Sequence, residues 1–304
     1  MKVLILGIDA LEHSLVEKWD LKHLKQKEYG KIIVPIYEGG GEPVTLVVWP
    51  CFITGKEPEE MGFDSPILYR QPLKVFLDKI FFPVSSFIKN DSDTVKDESI
   101  DYKTSRKEKI ISRFNFLSMK AGFGRYPTEK DIKAPTFFDN DNIKTVRFHI
   151  PVYDESHTLE DHCNPRNNVI AALGDKSLRK EFDIRLLQEF KDRSKELLDV
   201  INDDWDLCMQ YFYVLDGIQH VFFKNKLKIM SFYMRFNEFV GKLKEIVSDD
   251  TMILVISDHG QKNGLHTNYG FYSCNKKLDL DTPNISDFKD VIEKIIYKDK
   301  KSKK

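Results

Sequence analysis

The sequence predicts an α/β fold in which a mostly parallel β-sheet is flanked by helices on both faces. Three apolar runs support this prediction: Val3–Ile8, Met209–Leu215 and Met252–Ser257. Short runs rich in β-branched and aromatic residues are typical of strands that are buried on both faces, as they are in parallel sheets. Each run is followed directly by an aspartate, namely Asp9, Asp216 and Asp258. Because ligands of open α/β sheets bind at the carboxyl ends of the strands, we expect these three carboxylates to lie close together.

The elements that follow the first strand are a helix, a strand, a glycine-rich loop and a second helix. Residues 9–12 are typical of a helix start, in which Glu12 would complete a capping box. A second strand is predicted at Ile32–Ile36 and leads into the flexible loop Gly39-Gly40-Gly41. Thr45–Thr54 is predicted to be a helix that ends at Gly55, with a proline shortly beyond it.

The stretch from Asp64 to Asn142 is rich in Lys, Asp, Ser and Phe and has no strand rhythm. We interpret it as an insertion or cap over the strand ends within a single domain of residues 1–304. Two amphipathic helices are predicted inside it, at Leu73–Phe81 and Arg106–Met119.

The second half of the chain alternates strands and helices. A strand at Val146–Ile150 and a polar loop at 151–166 precede a long helix at Lys180–Ile201. The order strand, helix, strand over residues 207–215, 229–247 and 252–257 predicts parallel neighbours joined by a right-handed crossover. A last helix is expected at Val291–Tyr297, followed by a flexible lysine-rich tail at 298–304.

Composition limits the classes of function. With 304 residues, 41% of them hydrophobic, the chain can form one large domain. A net charge of -1 argues against a nucleic-acid or anionic-membrane footprint, and no apolar run is long enough to cross a membrane. The four cysteines show no paired spacing, which favours reduced thiols and a cytoplasmic location. The oligomeric state is left open.

Three histidines accompany the aspartates. His220 follows Asp216 by four residues, so the two side chains would share one face of a helix, while His259 and His266 follow Asp258. Each aspartate alone is explained equally well as a helix cap. Together, the six N and O donors exceed what one open tetrahedral site needs and fit two ions with three ligands each. Mixed carboxylate and imidazole ligands favour Zn²⁺, with Mn²⁺ as the alternative.

Such a site needs a nucleophile, and the sequence offers Thr45, Cys51, Thr54 and Ser65. Thr45 follows the glycine loop at the predicted helix start. There the helix dipole and the free amides of the first turn would stabilise an alkoxide and bind a phosphate. The alternative is that Thr45 is an ordinary N-cap residue.

These motifs resemble those of the alkaline phosphatase superfamily, in particular its type I phosphodiesterase/nucleotide pyrophosphatase branch. The segment TLVVWPCFITG at Thr45–Gly55 is similar to the family's Thr-x-Pro-Ala-Trp-x-Ser-Phe-x-Thr-Gly segment. Residues 7–10, 215–220 and 264–271 resemble the family's other metal-binding segments. Ser257-Asp258-His259-Gly260 matches its most specific signature.

The resemblance implies an alkaline-phosphatase-like core and two metal sites. One ion would be held by Asp216, His220 and His266, and the other by Asp9, Asp258 and His259 together with the oxygen of Thr45, the implied nucleophile. The chain departs from the family pattern at four positions: Val47, Val48, Cys51 and Met61. None of these removes a ligand, but they leave the subfamily open.

The resemblance therefore implies a metal-dependent phosphoester hydrolase that forms a phosphothreonine intermediate and acts on a small phosphoester. A phosphomonoesterase, a phosphosugar mutase of the same superfamily and a non-catalytic metal-binding protein remain as alternatives. The mutase is disfavoured because its resemblance implies serine at position 45. A sulfatase is disfavoured because the chain has no Cys-x-Pro-x-Arg segment.

Overall fold

The computed structural model describes residues 1–37, 39–69, 123–154, 169 and 172–302. Their centre is a six-stranded sheet. Its strands are β1 (Val3–Ile8), β2 (Glu28–Ile32), β5 (Thr145–Phe148), β6 (Leu207–Phe212), β7 (Met252–Ser257) and β10 (Gly270–Cys274). Their order in the sheet is β2-β10-β7-β1-β6-β5. Strands β5, β6, β1 and β7 are parallel, and β10 is antiparallel to both β7 and β2. The predicted fold class, a mostly parallel sheet with flanking helices, is confirmed.

Strand β1 lies between β6 and β7, and Val3 pairs with both Leu207 and Met252. All residues of these three strands are buried, which explains why their sequences are continuous apolar runs and do not alternate. Side chains of β1 alternate between two hydrophobic clusters: Leu4, Leu6 and Ile8 belong to one, and Val3 and Ile5 to the other.

Helices cover both faces of the sheet. The face of Leu4 is covered by α1 (His13–Lys18), α2 (Lys22–Lys25), α5 (Lys176–Val200), α6 (Val214–Phe222) and α7 (Lys226–Ile246). The opposite face is covered by α3 (Thr45–Thr54), α4 (Pro58–Met61) and α8 (Phe288–Ser302). The other elements are β3 (Leu68–Tyr69), β4 (Gly124–Arg125), β8 (Gln261–Lys262), β9 (Leu265–His266) and short 3₁₀ turns at Glu129–Asp131 and Ile285–Asp287.

Several element predictions are confirmed. The observed bounds of β1, β7 and α3 equal the bounds predicted from the sequence. Gly55 ends α3 in the left-handed conformation with φ 63°. The long helices α5 and α7 and the last helix α8 are each present, with bounds shifted by a few residues. The strand predicted at Val146–Ile150 lies slightly earlier, at β5.

Four predictions are wrong in detail. The second strand is Glu28–Ile32, because Pro35 interrupts the segment predicted at Ile32–Ile36. Helix α1 begins at His13, and its N-cap is Glu12, not Asp9. Strand β6 ends at Phe212, so Asp216 lies in the first turn of α6 and not at a strand end. Strands β6 and β7 are parallel, but β1 separates them, so they are not neighbours.

The predicted helices at 73–81 and 106–119, and most of the predicted cap, lie outside the described residues. The single-domain organisation with a cap at 64–142 and the flexible tail at 298–304 stay predictions. Among the described residues, no helix has the combination of length and apolar character needed for a bilayer crossing.

Gly270→Ala is expected to destabilise the fold by about 1–3 kcal/mol because of overpacking at the start of β10. An added Cβ would lie 2.2 Å from the carbonyl oxygen of Ser257, a backbone atom that cannot move without disturbing β7. Denaturant unfolding of both proteins measures the difference. The control is Gly174→Ala, where an added Cβ meets no described atom within 4 Å. Equal stability of the Gly270→Ala variant and the unmodified protein would contradict the expected clash.

Candidate active site

The predicted ligands Asp9, Asp258 and His259 meet at the carboxyl ends of β1 and β7. One donor atom from each of the three residues lies within 4.8 Å of the others. Nε2 of His259 is 3.2 Å from Oδ1 of Asp9 and 3.5 Å from Oδ2 of Asp258. All three side chains are buried, and His259 and Asp258 are fully so. The structure therefore brings this predicted trio together.

The other predicted trio, Asp216, His220 and His266, also converges. Oδ1 of Asp216 is 3.1 Å from Nε2 of His220, one helical turn later, and 3.5 Å from Nε2 of His266. The two histidine Nε2 atoms are 3.1 Å apart. The rings of His259 and His266 stack with their centroids 3.9 Å apart, and Asp216, His259 and His266 also form a close group. The two trios thus form one continuous cluster of donor atoms.

Several donor atoms of this cluster lack directed hydrogen bonds among the described residues. They are Oδ1 of Asp9, Oδ1 of Asp216, both carboxylate oxygens of Asp258 and Nε2 of His259, all of them buried. A buried polar atom without a partner is costly, and native structures contain few of them. Close approach without hydrogen-bond geometry is the arrangement expected of atoms that point at a common cation.

The hydroxyl of Thr45 lies beside the first trio. Its Oγ1 donates to Oδ2 of Asp9 at 3.4 Å. The N-cap of α3 is Val44, and Thr45 is the first helical residue, so the alternative of an ordinary N-cap threonine is wrong. The amides of Thr45 and Leu46 open the helix, where backbone NH groups have no intrahelical acceptor.

The other nucleophile candidates are directed elsewhere. Thr54 Oγ1 donates to the carbonyl of Pro50 at 2.6 Å, and Ser65 Oγ to that of Ile67 at 3.0 Å. Cys51 is buried, and burial raises the pKa of its thiol far above the ordinary value, so no thiolate forms at neutral pH.

Burial and neighbouring charges shift the pKa values of the clustered side chains in different directions. Burial, together with the charges of Asp258 and Asp216, raises the pKa of Asp9 well above its ordinary value. Burial raises the pKa of Asp258 to about 6 and lowers that of His259 to about 4. Burial would also lower the pKa of His266, but the neighbouring Asp216 carboxylate raises it to about 9. Carboxylates that repel one another in a buried pocket favour a bound cation.

The hydrogen-bond partners of the predicted ligands were not apparent in the sequence. Tyr211 reads as a core residue of β6, yet its hydroxyl donates to Oδ2 of Asp9 at 2.5 Å. Ser257 Oγ accepts from the amide of Leu11 and donates to the carbonyl of His259, which joins the ends of β1 and β7. Glu42 in the glycine-rich loop lies 3.4 Å from Nδ1 of His266. Such outer partners fix the orientation of ligands.

The chain is similar to one protein family and to several solved structures. The model of the type I phosphodiesterase/nucleotide pyrophosphatase family matches residues 3–287. No curated protein sequence matches the chain. Murine ectonucleotide pyrophosphatase/phosphodiesterase 5 is a similar solved structure, with 13% identity and a TM-score of 0.46 over 86% of this chain and 57% of that one.

Two further solved structures are similar. A protein from Pyrococcus horikoshii has 11% identity and a TM-score of 0.46, with 97% of each chain covered. Phosphonoacetate hydrolase from Sinorhizobium meliloti has 14% identity and a TM-score of 0.44, over 86% of this chain and 56% of that one. The present chain thus spans little more than half the length of the murine and Sinorhizobium proteins. Because the family match extends over nearly all of its residues, the chain belongs to the type I phosphodiesterase/nucleotide pyrophosphatase family, a family of phosphoester hydrolases.

Proposed function

We propose that this chain is a phosphodiesterase that uses Thr45 as its nucleophile beside two divalent metal ions. The observation that carries the proposal is the pair of donor trios with unpartnered N and O atoms next to the Thr45 hydroxyl. The substrate is a small phosphoester, as the sequence resemblance implies. The cytoplasmic location stays a prediction.

The spacing of the donor atoms fits this role. Zinc binds N and O ligands at about 2.0–2.1 Å, so the donors of a tetrahedral site lie about 3.3 Å apart. The donor pairs His220–Asp216, His266–Asp216 and His220–His266 are 3.1, 3.5 and 3.1 Å apart. In the other trio, the distances from His259 to Asp9 and Asp258 are 3.2 and 3.5 Å. Asp216, His220 and His266 would hold one ion, and Asp9, Asp258, His259 and the Thr45 oxygen the other.

The mixed carboxylate and imidazole donors favour Zn²⁺, with Mn²⁺ as the alternative. When bound, a pair of such ions lowers the pKa of the attacking hydroxyl and stabilises charge on the attacking and leaving oxygens.

The protein groups supply orientation. The hydrogen bond to Oδ2 of Asp9 orients the Thr45 hydroxyl, and the Tyr211 hydroxyl donates to the same oxygen and fixes the carboxylate. Attack of Oγ1 on phosphorus breaks the bond to the leaving group and leaves the phosphoryl group on Thr45. Water releases it in a second in-line attack.

The first amides of α3 would donate to the phosphoryl oxygens of the substrate. The amides of Thr45 and Leu46 are suitable because they open the helix. Those of Val47 and Trp49, later in the helix, are not. The Val47 amide donates to the carbonyl of Val44 at 2.8 Å, and that of Trp49 belongs to the intrahelical ladder.

Hydrolysis of bis-p-nitrophenyl phosphate and of p-nitrophenyl phosphate, each with and without chelator, tests the proposal. We expect the diester to be cleaved faster, the activity to disappear with chelator and to return with added Zn²⁺ or Mn²⁺. Turnover that survives complete metal removal would contradict the dinuclear mechanism. Preference for the monoester would favour a phosphomonoesterase, and inactivity on both substrates with metal bound would favour the non-catalytic alternative.

A further inference from the structure

The carboxylate of Glu12 is fully buried and joins two segments of the chain. On the side of α1, its Oε1 accepts from the amide of Ser14 at 3.0 Å and from the Ser14 hydroxyl at 2.6 Å. From the other side, the hydroxyls of Tyr269 and Thr267 donate to Oε1 and Oε2 at 2.8 and 3.2 Å. Neither Tyr269 nor Thr267 is close to Glu12 in sequence, so these bonds tie α1 to the loop that carries His266.

The same carboxylate packs against the beginning of this loop. A Cβ added to Gly260 would lie 2.1 Å from Oε2 of Glu12, so the carboxylate packs directly against the backbone there. Gly260 donates to the carbonyl of Tyr269 and accepts from the amide of Thr267, both at 2.9 Å. Glu12 therefore contacts both ends of the loop from Gly260 to Tyr269.

We propose that Glu12 is a positioning residue that holds the 260–269 loop so that His266 meets Asp216 and His220. This inference rests on the proposed function, which makes His266 a metal ligand. Glu12 itself contacts neither metal ligand nor nucleophile in any hydrogen bond of the described residues.

The dependence of His266 on this anchor follows from its surroundings. Thr267, the next residue, is fixed by Gly260 through its backbone and by Glu12 through its hydroxyl. Among the described residues, the Nδ1 side of the His266 ring has only long contacts, 3.4 Å to the Pro43 carbonyl and 3.4 Å to Glu42. Asp9 and Asp258, by contrast, follow directly on the buried strands β1 and β7. Loss of the anchor should therefore weaken one metal site and spare the other.

Metal titration of the metal-free protein tests this selectivity. Glu12→Ala removes all four acceptor contacts, and Tyr269→Phe removes one loop contact while leaving the cap of α1 intact. We expect the affinity of one of two Zn²⁺ sites to fall about tenfold in Glu12→Ala, the lower end of the range for residues that bond directly to a metal ligand, and less in Tyr269→Phe. The second site should stay within about threefold of the unmodified protein. Calorimetric titration reports both affinities.

Two variants serve as controls. Ser14→Ala removes a hydroxyl from the helix side of the Glu12 carboxylate and leaves the loop side unchanged. Glu28→Ala removes a comparable anchor at the opposite end of β10, where Glu28 accepts from the amides of Leu278, Asp279 and Leu280. Both controls should keep both metal affinities, even where they lower the melting temperature.

The outcomes are distinguishable. Unchanged affinities at both sites in Glu12→Ala and Tyr269→Phe overturn the inference, and so does equal weakening of both sites in a folded Tyr269→Phe variant. If the unmodified chain binds fewer than two ions, the dinuclear function fails. Hydrogen exchange of the amides in the 260–269 loop then tests, independently of metal binding, whether Glu12 anchors the loop. Faster exchange in Tyr269→Phe than in Ser14→Ala supports the anchoring role, and equal exchange overturns it.

Discussion

Replacing Thr45 by alanine is expected to lower phosphodiester hydrolysis by at least about 10³-fold while both metal ions stay bound, because a nucleophile, unlike a binding contact, has no substitute. Of the four nucleophile candidates, Thr45 is the one whose hydroxyl contacts a donor trio, because it donates a hydrogen bond to Oδ2 of Asp9. Steady-state turnover of bis-p-nitrophenyl phosphate, together with metal analysis of the same samples, measures the effect.

Two further variants make this result specific. Thr45→Ser keeps a hydroxyl at the same position and should retain part of the activity. Thr54→Ala, at the other end of α3, removes a hydroxyl that bonds only to the Pro50 carbonyl among the described residues, so turnover should persist. If Thr45→Ala stays within tenfold of the unmodified protein, a different group attacks phosphorus.

Replacing Asp258 by asparagine is expected to stabilise the metal-free protein at pH 8 and to abolish hydrolysis. Burial raises the pKa of Asp258 from 3.8 to about 6, so the folded state binds this proton more tightly than the unfolded state. Stability of the metal-free protein therefore falls as pH rises between these two values and stays lower above them. Two pKa units correspond to about 3 kcal/mol, which is the upper limit of the expected gain.

Chemical unfolding in the presence of chelator at pH 8 and at pH 4 measures this difference, which should shrink toward zero at the lower pH. Asp216→Asn is the matched contrast. Burial would raise the pKa of Asp216, but the neighbouring imidazoles of His220 and His266 lower it well below the ordinary value. Its removal should therefore destabilise the metal-free protein. An Asp258→Asn variant less stable than the unmodified protein at pH 8 would refute this account of the cluster.

The parts of the fold that sequence predicted well are those fixed by local pattern. Strands β1 and β7 are buried on both faces, so apolar composition marks their ends, and Gly55 marks the end of α3 through its left-handed backbone. Strand β6 was extended too far because Tyr213 and Val214 favour strands by composition. Tertiary packing instead starts α6 at Val214. The position of β1 between β6 and β7 is set by long-range pairing, which local pattern does not contain.

The same division applies to the site. The candidate ligands were predictable because each follows an apolar run or lies in a recognisable motif, and the two trios of the structure contain all six of them. The residues that orient them were not. Tyr211 meets Asp9 and Glu12 meets Tyr269 across more than two hundred residues, and neither pair leaves a sequence spacing that could reveal it.

The place of β1 at the middle of the sheet has a consequence for biosynthesis. This strand pairs with Leu207–Phe212 on one side and with Met252–Ser257 on the other. Strand β1 therefore leaves the ribosome long before either partner is synthesised. Until those segments are translated, its apolar side chains and both of its backbone edges have no native partner. Nascent chains that still lack these two partner segments should therefore depend on chaperones and aggregate readily when released early.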